Sequence, residues 1–551
     1  VTGGTTTGAE VRRALRDGEE VALVDVRPEG RFAEGHPLFA ANFPIDRLEP
    51  GLLDRLPRPA SPLVVYGEDE TDTAEACGRL RSYGYLDVSA LEGGLAAWSD
   101  GGGELFIDVN APSKAFGELV AERLGTPSVA PEELSRMLGD GVNVTVLDAR
   151  RFDEYQTMSI PSATSVPSAG LVRHVSGLPA DDDRLLVVNC AGRTRSIIGT
   201  QSLINAGAPR VVALRNGTIG WTLAGLDLDH GAGRRGGPVA PDARRRAAAA
   251  ARAVADRAGV RRIDRAGLDD LLRQDRTVYR FDVRDPEEHR AGHPSGFLSA
   301  PGGQLVQETD RYAPVRGAVI VLADDDGSEA SMTGSWLAQM GWTVVVLDGV
   351  RAGDGGETGP DPARSPVPPD IVWCEPDDLA DDALHAARTV LDVDTSVRYR
   401  AGHVPGAIWV RRHDPALRAG RLTVSGPGPV VVTSHDDLLT AFAARDLAVR
   451  LGVDVVGLRG GTARWATTHP LETGDGRWGS DPVDVYRRPY EGTDVQPSAM
   501  QAYLDWEYGL VEQLGRDATH NFTVLDFSVL DFSVLDVGVC QSPPVPPATV
   551  P

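Results

Sequence analysis

Residues 187–196, "VVNCAGRTRS", end an apolar run in a cysteine and follow it with a short loop that holds two arginines. A thiol at the C-terminal end of a parallel strand, just before a helix, stands at the mouth of the sheet, where α/β proteins bind ligands. Successive backbone N–H groups of such a loop can converge on the sulfur, and the helix N-terminus adds a partial positive charge. Arg193 and Arg195 add two full charges. All three effects favour thiolate over thiol, so the spacing predicts a Cys190 pKa below the usual value of about 8.5. The same field would hold a small anion against the nucleophile. The bland alternative is a structural thiol beside two solvated arginines; the glycine in the loop and the strand–helix setting favour chemistry.

The elements that must position Cys190 occur four times. Short apolar strands end in Asp25, Asp148, Asp282 and Asp392, and later strands reach glycine turns from Leu91, Leu214, Leu347 and Leu458. The gaps are 66, 66, 65 and 66 residues. Eleven residues after each aspartate stand His36, Ser159, His293 and His403. Three spacings kept through four copies mark a tandem array. Each copy reads strand, loop, strand, helix, strand, which predicts a parallel sheet flanked by helices. "LLVVNC" has the continuous apolar character of a strand buried on both faces, and Ile197, Ile198, Leu203 and Ile204 mark one helical face ending at Gly207.

Counting 17 residues back from Gly84, Gly207, Gly341 and Gly452 puts Gly67, Cys190, Asp324 and His435 at one loop position. A slip of one in the fourth copy would put Ser434 there; no slip produces a second cysteine. Cys77, inside a helix, and Cys374 read as packing residues. The expected units are 1–105, 115–230, 255–352 and 370–475, with a helical and irregular tail over 476–551. The intervening stretches 100–114, 230–246 and 351–370 are rich in Gly, Pro and charge and read as linkers. A helix is expected within 244–259.

Four cysteines, 77, 190, 374 and 540, form no CxxC pair, which argues against a disulfide framework or a zinc site and for a reducing, cytoplasmic compartment. A formal charge of −24 disfavours nucleic acid as a partner. No apolar run reaches the roughly 20 residues of a membrane span, and the N-terminus lacks the pattern of a secretory signal. Lys114 is the single lysine among 55 basic residues, which reads as compositional bias.

The repeated unit resembles the rhodanese (sulfurtransferase) domain, through Asp148, the loop "CAGRTRS" at 190–196, the turn "LRNGTIGW" at 214–221 and "AGHVPGA" at 401–407. The resemblance covers about 1–475 as four tandem rhodanese-like units, of which the second alone carries the cysteine. It implies that Cys190 takes a sulfane sulfur from an anionic donor, thiosulfate favoured over 3-mercaptopyruvate, and passes it from a persulfide to cyanide or a thiol. No cofactor or metal is expected. Backbone N–H groups of the loop Ala191, Gly192, Arg193, Thr194 and Arg195 would stabilise the persulfide, and the two arginines would orient the donor. Ser159 replaces the histidine of the sister repeats, so that histidine is read as loop-fixing, and Asp148 with Arg150 as a structural ion pair.

Two other readings stay open. Phosphatases and arsenate reductases of related fold place an arginine six residues after the cysteine, whereas here Arg195 is at +5 and Ser196 at +6. A scaffold or redox sensor that binds protein partners is the third class, since a low-pKa thiol also oxidises readily. In the tail, Tyr503, Glu507, Leu510 and Leu514 share a helical face with Leu504 and Trp506 beside it, expected to dock on a repeat or on a second copy of the chain. The repeated VLDFS block reads as sequence slippage or a strand-forming extension, and the Pro-rich end as disordered.

Overall fold

The computed structural model describes residues 4–527, apart from 180–182, 350–355, 363, 381–387, 415–416, 418–427 and 493. Cys540, the later VLDFS copies and the Pro-rich end lie outside the described residues.

Each repeat forms its own parallel sheet with the strand order 1-5-4-2-3, and the fourth sheet adds a sixth strand at its edge. In the second repeat the strands are Ser128–Val129, Val144–Asp148, Thr164–Ser165, Leu185–Asn189 and Val211–Leu214. Asp148 pairs in register with Asn189, so Cys190 follows directly after the end of the central strand. The alternation explains the continuous apolar run. Leu147, Leu186 and Val188 pack to one face with Leu203, Ala247 and Val254. Val146, Val187 and Leu214 pack to the other with Tyr155 and Trp221. Burial of a Val or Leu side chain contributes about 1.5–3 kcal/mol, so both faces hold the strand in place.

The chain folds as two compact units. One brings together Val21–Val109 and Pro362–Arg487, the other Asn110–Asp361 and the segment from Arg488. The first and fourth repeats thus share a unit, as do the second and third. Within the first unit, Arg412 Nη1 and Nη2 donate to Glu49 Oε2 and Oε1 at 2.7 and 2.8 Å, with both side chains buried.

Parts of two expected linkers are structured. Helix Ala111–Leu124 starts inside 100–114 and is buried from Ala111 to Val120. Helix Pro241–Arg257 confirms the alanine-rich helix and starts within 230–246. Its Ala247, Ala251 and Val254 enter the core of the second repeat, together with Met332 of the third and Phe527 of the tail. Among the described residues no helix is long and apolar enough to cross a membrane.

Candidate active site

The cysteine loop is shaped by the glycine turn that follows the last strand. Thr218 N donates to Cys190 O at 2.9 Å and Ile219 N to Ala191 O at 3.0 Å. Thr218 Oγ1 donates to Ala191 O at 3.1 Å. These bonds tie the carbonyls of Cys190 and Ala191 to the turn, and the Ser196 N–H interacts with the sulfur. Gly217 makes the approach feasible: its φ is +55°, and a Cβ there would lie 2.3 Å from Cys190 O.

The third repeat shows what this loop does with an anion at its first position. Asp324 follows strand Val319–Ala323 as Cys190 follows its own strand. Its Oδ1 accepts from Gly327 N at 2.6 Å, and its Oδ2 from Glu329 N and Ala330 N at 2.8 and 3.0 Å. Burial pushes this carboxyl up to about 6, against the pull of the three amides. The matching amides in the second repeat belong to Arg193, Arg195 and Ser196.

In the fourth repeat the slip by one is real. Thr433 pairs with Asp392 as Asn189 does with Asp148, and Thr462 N donates to Ser434 O. Ser434, not His435, is therefore the counterpart of Cys190. The helix that follows, Asp437–Leu451, begins three residues after Ser434 rather than four and runs longer than Thr194–Asn205. His435 instead donates from Nδ1 to Asp394 Oδ2 at 2.7 Å.

Cys190 itself is 2% exposed. Burial pushes its thiol up, opposed first by the Arg195 charge and then by the Ser196 hydroxyl and N–H, while Glu507 adds to the rise. The free thiol thus lies above its ordinary range, which corrects the expectation of a lowered pKa. The reason is burial, which outweighs the Arg195 charge; both arginines are also engaged by carboxylates. Arg195 Nη1 and Nη2 donate to Glu154 Oε1 and Oε2 at 2.8 and 2.7 Å. Arg193 Nε and Nη2 donate to Glu118 Oε1 and Oε2 at 2.6 and 2.7 Å, and its Nη1 to Asn216 Oδ1 at 3.1 Å. Burial would raise Glu154, but Arg195 overrides it and holds the carboxyl down at about 2.

A cavity of about 280 Å³ opens beside the loop, lined by Arg150, Arg151, Arg195 and Arg488 against Asp153, Glu154, Glu308 and Glu491. Arg195 reaches it; Arg193 is turned towards the helix Ala111–Leu124. Of the six site residues expected, Ala191 packs under Ile219, Met500 and Leu504, Gly192 faces Tyr503 and Glu507, and Thr194 opens the buried helix Thr194–Asn205.

Asp148 and Arg150 form the expected structural pair. Arg150 Nε and Nη2 donate to the carboxylate at 2.9 and 2.7 Å, and Asn189 Nδ2 donates to Asp148 Oδ2 at 2.8 Å. The marker residues also hold loops. His36, His293 and His403 are buried and stack on Phe32, His289 and Tyr399, and all four markers, Ser159 included, bridge the segment that follows their repeat.

The reading of the sequence found the tail helix but not its part in the site, and it missed Arg488, Tyr490 and Lys114. The helix Pro497–Tyr508 docks on the second repeat, the intramolecular placement of the two expected, and carries Tyr503, Leu504 and Glu507 to the loop. Arg488 and Tyr490 of the same segment line the cavity. Lys114 is buried, its Nζ 5.7, 5.1 and 5.2 Å from the ring centroids of Tyr490, Tyr503 and Trp506. Its isolation as the single lysine was the one available signal; the aromatic rings that surround it come from the far end of the sequence.

Comparison with known proteins agrees with this architecture. The model of the rhodanese-like domain matches residues 7–100, 130–224 and 375–468. The chain is similar to a thiosulfate sulfurtransferase from Pseudomonas aeruginosa of known structure: 52% identity, 95% of this chain and 100% of that one covered, TM-score 0.92. It is also 33% identical over 97 residues to a sulfurtransferase from Allochromatium vinosum, covering 18% of this chain and 89% of that protein. An HTH-type transcriptional regulator, Rv0324, from Mycobacterium tuberculosis is 36% identical over 115 residues, 20% of this chain, which spans 50% of the regulator's length. Three matched stretches, a further sheet of the same strand order and a likeness over nearly the whole length make this chain a member of the rhodanese-like domain family.

Proposed function

We propose that the chain is a thiosulfate sulfurtransferase with one working site, in the second of four rhodanese-like units at 1–105, 115–230, 255–352 and 370–475. The Cys190 thiolate attacks the sulfane sulfur of thiosulfate; an S–S bond forms to Cys190, the S–S bond of the donor breaks, and sulfite leaves with the electron pair. Cyanide or a thiolate then attacks the outer sulfur, forming thiocyanate or a new persulfide, and the Cys190 thiolate is regenerated. No proton is consumed in either displacement, so the protein's task is to stabilise anions and exclude water.

The observation that carries this reading is the loop, whose carbonyls are bound by the glycine turn and whose third-repeat sister holds a carboxylate on three amides. By that correspondence the amides of Arg193, Arg195 and Ser196 receive the persulfide, and Ala191, Gly192 and Thr194 set the loop's path. Arg195 presents its charge to the donor from the cavity wall, and Arg193 ties the loop to Glu118. Burial keeps the resting thiol protonated; its proton leaves to solvent before the first displacement, and the Arg195 charge favours the thiolate that remains.

Incubation of the full chain with thiosulfate should add one sulfur atom to its mass, on the peptide containing Cys190. Turnover of a phosphate ester without that adduct would favour the phosphatase reading, and oxidation of Cys190 without transfer would favour a sensor.

A further inference from the structure

The helix Pro497–Tyr508 lies outside the four repeats, yet it buries an acid against the cysteine loop. A Cβ built on Gly192 would lie 3.2 Å from Tyr503 Cε1 and 3.3 Å from Glu507 Oε2, a contact that glycine alone fits without displacement. Glu507 is 1% exposed. Its Oε1 accepts from the Tyr503 hydroxyl at 2.7 Å, and its Oε2 is buried with no hydrogen-bond partner. A carboxylate oxygen left without a donor in such a place is costly when charged.

We propose that Glu507 is a positioning residue for Cys190: an acid supplied by the C-terminal helix whose protonation sets how readily the nucleophile ionises. The inference rests on the reading of Cys190 as that nucleophile.

The charged and titratable groups around Glu507 come from three elements. Helix Ala111–Leu124 brings Lys114 and Glu118, the loop brings Arg193, with Cys190 and Arg195 beyond it, and the C-terminal segment brings Tyr490, Tyr503 and Tyr508. Burial pushes the Glu507 carboxyl up to about 8, Lys114 pulling it down and Glu118 adding to the rise. Below that pH the acid is neutral and leaves the sulfur's field to Arg195. Above it the carboxylate appears beside the loop and opposes a second negative charge on Cys190. The two ionisations are coupled, each raising the other, so the thiolate forms over a wider pH range than a lone group would show.

Iodoacetamide reports this directly, because the thiolate displaces iodide and the alkylated Cys190 peptide is counted by mass. The full chain, Glu507→Gln and Tyr503→Phe would be compared from pH 6 to 10. The amide of Glu507→Gln cannot charge but keeps an acceptor for Tyr503, so alkylation of Cys190 should become a single steeper step with its midpoint lower by about one unit. Tyr503→Phe removes a donor that favours the carboxylate; it keeps Glu507 neutral to higher pH and should shift the curve the same way by less. Superimposable curves for all three proteins would overturn the proposal. If the glutamine variant does not fold, the tyrosine variant decides alone. Alkylation reads ionisation whether or not sulfur is transferred, so failure of thiosulfate to load Cys190 would sink the proposed function and leave this result standing.

Discussion

Cys190 sits where burial and charge oppose each other, and in the free protein burial prevails. The two arginines of the loop do different work. Arg195 forms one wall of the cavity, whereas Arg193 is forked on Glu118 with its guanidinium 4.2 Å from the Tyr508 ring centroid. Arg195→Lys should therefore lower kcat/KM for thiosulfate by about 10²–10³, as loss of a group that stabilises developing charge does. Arg193→Lys should leave kcat/KM within about tenfold and act mainly on stability, since it removes a bidentate pair that holds the loop. Kinetics and thermal melts of the two variants check this, and equal kinetic losses would contradict the division. The candidate nucleophile stood out in the residue types, because one loop of four has a cysteine. Its electrostatics did not: Glu118, Glu154, Glu507 and Lys114 come from distant elements, and no local spacing shows that an arginine has a partner. The expectation of a lowered thiol pKa failed because burial of Cys190 outweighs the Arg195 charge, and burial depends on elements far away in sequence.

At the scale of elements, the strand–loop–helix unit and its glycine turn could be read from apolar runs and fixed gaps. The turn's purpose could not. Gly217 is where the chain both takes a positive φ and passes against Cys190 O. Gly217→Ala should push the turn away from the loop and release the bonds from Thr218 and Ile219. An alanine at positive φ costs on the order of 1 kcal/mol before the clash is counted. We expect a lower Tm and sulfur loading of Cys190 reduced by at least tenfold, measured by differential scanning calorimetry and intact mass; unchanged loading would show that the turn does not shape the loop. The fourth repeat shows the limit of counting. Its helix starts one residue sooner after the strand, and an apolar pattern does not reveal whether an extra residue sits in the loop or in the helix. Strand register, not spacing, identifies Ser434.

At the scale of the molecule, four repeats were legible but their pairing was not. Which repeat shares a unit with which depends on surface complementarity, such as Glu49 of the first with Arg412 of the fourth, that no periodicity encodes. The same holds for the borrowed core of the second repeat. Residues 115–230 lack Ala247, Ala251, Val254, Met332 and Phe527, all in one apolar cluster with Leu147 and Val188. They also lack Tyr503 and Leu504, which cover the loop. Expressed alone, that fragment should fail to show a cooperative melt and should not turn over thiosulfate; a folded, fully active fragment would mean that the surrounding elements are dispensable.

The central claim is that one sulfur atom, on Cys190 in the loop of the second repeat, carries the transferred sulfur. Full chain and Cys190→Ser, each incubated with thiosulfate and then cyanide, test it most directly through intact mass before cyanide and thiocyanate after it. The account predicts a single sulfur adduct and thiocyanate from the native chain and neither from the serine variant. Thiocyanate from the serine variant, or an adduct on Cys77, Cys374 or Cys540 in its place, would contradict it.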